Sequence, residues 1–387
     1  MKTIIKLSTA LCLIALLSSS FSALHSKATA SPFPANPDIS SNKIQVALLL
    51  DASNSMDGLI DQAKARLWNI VNTLTTLRYE GKVPQIEIAL YMYGNDGLSE
   101  KTNYIKQLTP FTGDLDVISE KLFAISTNGG SEYCGAVIDE AVKKLDWGRE
   151  KADMRLIYIA GNEPFTQGSI SYKEAISEAA KKDIFINTIF CGEYTEGVNT
   201  NWKDGAKIGN GQYFNINQDQ RVVYIVTPYD DAIQRCNERL NKTYIYYGSA
   251  GRTGYQNQSA QDQNSINVSK SNYTERAVSK SKKLYNNSGW DLVDKIAADS
   301  LYIDKIVTDD LPPEYVNLSN AELKALVAEK TKEREEIQKE INSLAAKRQD
   351  YIDNQSKAEN SDLDDLGKAI NVSILNLAVS KGYKSEN

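Results

Sequence analysis

Residues 43 to 56, "KIQVALLLDASNSM", decide the fold. The first eight residues are a near-continuous apolar run, the pattern of a strand buried on both faces of a parallel sheet. The run stops at Asp51, and Asp51, Ser53 and Ser55 then place oxygens at alternate positions. "MDGLIDQAKARLWNIVNTLTTL" (56 to 77) follows, with Leu59, Ala63, Leu67, Ile70, Val71 and Leu74 on one helical stripe.

The alternation continues outward from this stretch. Strand-like runs occupy 85 to 93, 154 to 160, 184 to 192 and, more briefly, 211 to 216. Helix-like periodicity occupies 114 to 125, 133 to 145, 171 to 183 and 229 to 244. The expected fold class is α/β, a doubly wound and mostly parallel sheet with helices on both faces, over 43 to 245. Ligand sites in such sheets lie beyond the carboxyl ends of the strands. "DASNSM", "AGNEPF" (160 to 165) and "CGEYTEG" (191 to 197) all fall there.

Composition sets the outer limits. The 387 residues are 41% apolar with a formal charge of -6, which gives no footprint for nucleic acid. Lys2 and Lys6, the apolar "LCLIALL" and a small-residue stretch ending at Ala30 read as a signal peptide over 1 to 30. Export to the periplasm, the medium or the cell surface is therefore expected. No later run approaches the twenty or so apolar residues of a membrane span. Residues 31 to 42 read as a linker.

The single histidine, His25, falls within the signal, so a histidine zinc site or a Ser-His triad has no histidine to use. Cys134, Cys191 and Cys236 follow the signal, an odd number. Cys134 and Cys191 both fall at the ligand edge, where they either bridge as a disulfide or stay as separate buried thiols. Cys236 reads as core.

Beyond 245 the texture changes. Residues 246 to 318 read as polar loop or weakly amphipathic helix packed around the core. Residues 319 to 387 read as a helical hairpin, one arm carrying Leu323, Leu326, Ile337, Ile341, Leu344 and Tyr351, the other Leu363, Leu366, Ile370, Ile374 and Leu377. The stripe of the first arm lapses around Lys330 and Arg334, which argues against a rigid open-ended coiled coil. The hairpin packs either on the core or on another chain, so self-association through these helices is one expectation.

"DASNS" has two readings. Asp51 or Ser53 caps the following helix. Alternatively, one carboxylate and two hydroxyls form part of a hard-ligand site for Mg²⁺, Mn²⁺ or Ca²⁺, completed by other loops at the same edge.

At this point the sequence resembles the von Willebrand factor type A domain, the fold of integrin inserted domains. That family's Asp-x-Ser-x-Ser signature is matched by Asp51, Ser53 and Ser55. Its second loop, often Gly-Gly-Thr, is matched by "TNGGSEYC", with Ser131 in the threonine's place. Its third loop carries an aspartate where this chain has Gly161, so the resemblance leaves Glu163, or Asn162, as the substitute ligand. The resemblance covers about 43 to 245. It implies a metal-ion-dependent adhesion site that binds a protein ligand through that ligand's Asp or Glu, with Mg²⁺ or a similar ion between them. The alternative is a structural or scaffold component of an extracytoplasmic assembly, its ion site weak or vestigial. Metal-assisted hydrolysis comes last and the chain is not read as an enzyme, because Asp57 reads as a first-turn helix charge and Glu132 as a loop residue.

Overall fold

The computed structural model describes residues 39–307, 310–359 and 366–386. The expected signal segment 1 to 30, residues 31 to 38 of the expected linker, and residues 360 to 365, with Leu363 of the expected second arm, lie outside the described residues. The main sheet is built from β1 (Ile39–Asp51), β3 (Val83–Tyr93), β4 (Ile105–Thr112), β5 (Met154–Gly161), β6 (Phe185–Cys191) and β7 (Asn210–Ile216). Its order is β4-β3-β1-β5-β6-β7, with only β4 antiparallel to its neighbour. The run that opened the sequence reading is thus an inner strand, paired in parallel with β3 and β5. A separate ribbon joins β2 (Leu77–Tyr79) to β8 (Tyr383–Ser385).

The apolar run of β1 serves two cores at once, because successive side chains point to opposite faces. Ile44, Val46, Leu48 and Leu50 enter one cluster, while Ala47 and Leu49 enter the other. The first cluster is covered by α1 (Asp57–Thr75) and α2 (Leu115–Phe123), and all six stripe residues of α1 are buried in it. The second is covered by α3 (Cys134–Lys144), α4 (Tyr172–Lys181) and α6 (Trp202–Ile208). The short α5 (Tyr194–Asn199) precedes α6.

Three of these elements were not read from the sequence. β4 carries Pro110 and exposed Lys106, chemistry that suits an edge strand and weakens the strand pattern. α5 and α6 are each interrupted by a glycine and too short to develop a stripe.

The C-terminal part completes the core. α7 (Asp230–Asn241), α8 (Gly251–Val268), α9 (Lys270–Lys280) and α10 (Leu292–Ala298) lead to the long α11 (Asn320–Glu359) and to α12 (Leu366–Ser380). α11 rests on α7, α9 and α10, and α12 rests on α1 and the β5–β7 side of the sheet. Each arm of the expected hairpin therefore spends its apolar face on the core. The lapse in the α11 stripe has a cause. Arg334 turns inward, donates to Asp291 at 2.7 Å, Asp294 at 2.6 Å and the Thr243 carbonyl at 2.8 Å, and lies 4.2 Å over the Tyr244 ring. Lower on the same helix Arg348 donates to Asp230 at 2.8 Å.

Ile374 of α12 is fully buried. Ile374→Val is expected to lower stability by about 1 kcal/mol, the usual cost of deleting one buried methyl group. Urea unfolding checks this, and an unchanged midpoint would mark α12 as an appendage.

Candidate functional site

The carboxyl ends of β1, β3 and β5 meet at one edge, and the loops leaving them carry the polar residues. β1 ends in Asp51, which is fully buried. Its Oδ1 accepts the Ser53 N–H at 2.8 Å, the local turn expected of an aspartate at a strand end. Its Oδ2 is enclosed and has no hydrogen-bond partner. Ser53 and Ser55 converge, their Oγ atoms 3.2 Å apart, and Asn162 Nδ2 donates to Ser55 Oγ at 3.2 Å. The sequence-predicted trio Asp51, Ser53 and Ser55 is therefore brought together.

The second loop is fixed by backbone bonds. Asn128 N donates to the Ala52 carbonyl at 3.0 Å and Asp96 N to the Gly129 carbonyl at 2.6 Å. Thr127 Oγ1 donates to Asp57. Ser131 lies half-buried on this loop. Its neighbour Glu132 is the more central residue: it is buried, and its backbone N–H donates to Gln167 Oε1 at 2.6 Å. A Cβ placed on Gly94 would stand 2.7 Å from Glu132 Cγ and 2.9 Å from Asp51 Oδ1, so the two carboxylates flank the same spot. Sequence reasoning left Glu132 as a loop residue. The available signal was its position directly after Ser131.

The third loop explains the missing aspartate. A Cβ on Gly161 would stand 2.6 Å from Tyr93 Oη and 2.9 Å from Asp51 Oδ2. Tyr93 is fully buried, and its hydroxyl donates to the Ala160 carbonyl at 3.0 Å. The tyrosine hydroxyl thus crowds the volume that a side chain at 161 would enter. Glu163, two residues on, is half-buried, and its carbonyl accepts the Trp202 indole N–H at 2.8 Å.

Burial raises the Asp51 carboxyl to about 7. The Ser53 N–H opposes this rise, while Glu132 and Glu163 add to it. Burial likewise raises Glu132 to about 7, with Glu163 adding and the Ser53 hydroxyl opposing. Among the described residues no group of three or more His, Cys, Asp or Glu is placed to hold a metal ion. With one aspartate oxygen taken by a backbone amide and the other walled in by Gly161, the residues present do not fit a tightly held divalent ion.

The cysteine pairing expected at this edge is not formed. Cys134 and Cys191 are separate buried thiols, as is Cys236. Cys134 Sγ lies 3.8 Å from Tyr93 Oη, so each thiol is an element of the packing below the site. Burial pushes both edge thiols well above the usual range, which keeps them protonated and unreactive.

No family model and no curated protein matches the chain. Solved structures do. An aerotolerance-related membrane protein from Bacteroides fragilis NCTC 9343 is 17% identical over 46% of this chain and 93% of that one, with a TM-score of 0.32. The SpRpn10 VWA domain is 16% identical over 45% and 87%, with a TM-score of 0.32. Proximal thread matrix protein 1 from the mussel byssus, with a zinc-occupied MIDAS motif, is 13% identical over 46% and 43%, with a TM-score of 0.35. The chain thus spans less than half of the byssus protein. The fold class rests on the chain's own architecture, a mostly parallel sheet flanked by helices with a helical C-terminal extension. No helix among the described residues is long and apolar enough to cross a membrane.

Proposed function

We propose that this chain is a non-catalytic binding or scaffold component of an extracytoplasmic assembly, and that its strand-end edge engages a partner without depending on a tightly held ion. The observation that carries this reading is Gly161. The loop that would complete an ion site offers no carboxylate there, and Tyr93 and Asp51 occupy the space one would need. The fold alone hosts many functions, so the reading rests on the site. The two thiols at this edge are buried and protonated, so neither is an activated nucleophile.

A second reading keeps the ion. It has Asp51, Ser53, Ser55, Ser131 and Glu163 surround one Mg²⁺, with a partner's Asp or Glu filling an open position. The convergence of the Ser53 and Ser55 hydroxyls at 3.2 Å favours it. Calorimetric titration with Mg²⁺ and Mn²⁺ separates the two. The scaffold reading expects no saturable heat at millimolar ion and identical partner capture in Mg²⁺ and in EDTA. Saturable binding that is lost in Asp51→Ala, together with capture abolished by EDTA, would establish the ion-dependent module instead.

A further inference from the structure

We propose that residues 222 to 226 form an open strand edge through which two copies of this chain pair in solution. The inference goes beyond the preceding reading and does not use the strand-end edge.

The segment after β7, "RVVYIVTP" (221 to 228), holds five consecutive β-branched or aromatic residues, the composition of a strand. It runs straight from 221 to 227, without turn, bend or helix, yet it joins no sheet. Among the described residues, no backbone N–H or carbonyl from 221 to 226 has a hydrogen-bond partner. Side chains hold the segment in place instead. Gln62 Nε2 donates to the Gln220 carbonyl at 3.2 Å, and the Tyr224 hydroxyl donates to the Ala65 carbonyl at 2.9 Å. Thr227 donates to Asp230 through both its N–H and its hydroxyl. The chain is thus pinned at both ends and at its centre, so much of the ordering cost of strand pairing is met before a partner arrives.

The same placement leaves Val223 55% and Val226 75% exposed. Open main-chain groups beside exposed valines define the occupant as another strand, which supplies a hydrogen-bond ladder and apolar side chains together. A second copy of this chain is the strand that fits. Residues 222 to 227 carry no charge to select a foreign strand, whereas the segment is complementary to itself. In an antiparallel register centred on Tyr224, Val223 faces Ile225, Val222 faces Val226 and Arg221 faces Thr227. Apolar side chains then meet apolar ones, no like charges meet, and the two-fold contact closes on itself.

One pair of short strands buries less than the ~1,200 Å² of a standard interface, the range of weak association. Sedimentation velocity of the full mature chain, from about 5 to about 500 µM, is therefore expected to show a monomer–dimer equilibrium. Amide hydrogen exchange is expected to slow at alternate residues of 222 to 226 as concentration rises, because alternate amides of a strand face one neighbour. Val222→Pro and Val223→Pro together cover both settings of that alternation, and at least one is expected to weaken dimerisation roughly tenfold. Val223→Lys, at an exposed position, is expected to weaken it similarly and keeps the test independent of how the proline variants fold. Val379→Lys, on the exposed side of α12, is expected to leave it unchanged. A monomer throughout the range, or a dimer that survives both proline variants, would overturn the proposal. Loss of the dimer in Val379→Lys would overturn it by moving the contact to α12. A monomer whose 222 to 226 amides slow only when an alternating threonine–valine peptide is added would overturn it in favour of a foreign strand.

Discussion

Asp51→Asn is expected to stabilise the protein at pH 8, in EDTA, by about 2–4 kcal/mol, because each unit of pKa shift on a buried acid is worth about 1.4 kcal/mol. The folded-state carboxyl lies at about 7, against an ordinary value of 3.8. Between those values the unfolded chain has released its proton and the folded chain has not. Stability therefore falls as pH rises from about 4 to about 7, and Asp51 and Glu132 act in the same direction. Asparagine keeps the acceptor for the Ser53 N–H and removes the charge. At pH 5 the gain should fall to less than half, since the folded carboxyl is then neutral while the unfolded one is still ionised, and it should vanish only below about pH 4. Urea unfolding at both pH values checks the sign. Destabilisation of similar size at both would mean that the carboxylate is stabilised by something other than its described neighbours. Addition of Mg²⁺ that stabilises the wild type and not the variant would speak for the ion.

The second large effect lies away from the site. Arg276→Met is expected to destabilise by about 3–5 kcal/mol, the usual cost of removing one partner from a buried ion pair. Arg276 is fully buried on α9, holds Asp116 of α2 and Asp262 of α8, donates to the Gln258 carbonyl at 3.0 Å, and stacks 4.7 Å from the Trp68 ring of α1. Lys280 completes the cluster, 3.1 Å from Asp262. Removing the guanidinium strands Asp116 with only the Tyr285 hydroxyl, 2.6 Å away, and leaves Asp262 to Lys280 and two asparagines. Burial by itself would raise Asp262, but Lys280 and Arg276 outweigh it and hold the carboxyl well below its ordinary range. Its contribution is thus present at neutral pH and lost as pH falls through the acid range. Urea unfolding at pH 7 gives the number. A loss under about 1 kcal/mol would remove this cluster as the means by which the C-terminal helices dock.

That cluster also shows where sequence reading stopped. Residues 251 to 280 hold few bulky aliphatic residues and read as loop or weak helix around the core. They form two helices, and α9 is buried from Ser271 to Lys280. Periodicity reports apolar burial, and here burial is achieved by matched charges and amides whose partners come from α1, α2 and α7. Arg334 is the same case on a single helix: a break in an apolar stripe that is filled by a polar socket.

The sequence by itself determined the α/β class and the central placement of β1. An apolar run without alternation has only a doubly covered strand to become, and the stripes of α1 and α3 had only that sheet to cover. It also determined that Asp51, Ser53 and Ser55 meet, because a strand end and a tight turn leave little freedom over five residues. Tertiary structure alone decided the rest. Glu132 faces Asp51 across a gap of 81 sequence positions, and the Tyr93 hydroxyl crowds the space beside Gly161 from another strand. Cys134 and Cys191 stay apart as thiols. These are properties of side chains packed from distant segments, where each position is fixed by its neighbours in space and leaves no local pattern along the chain.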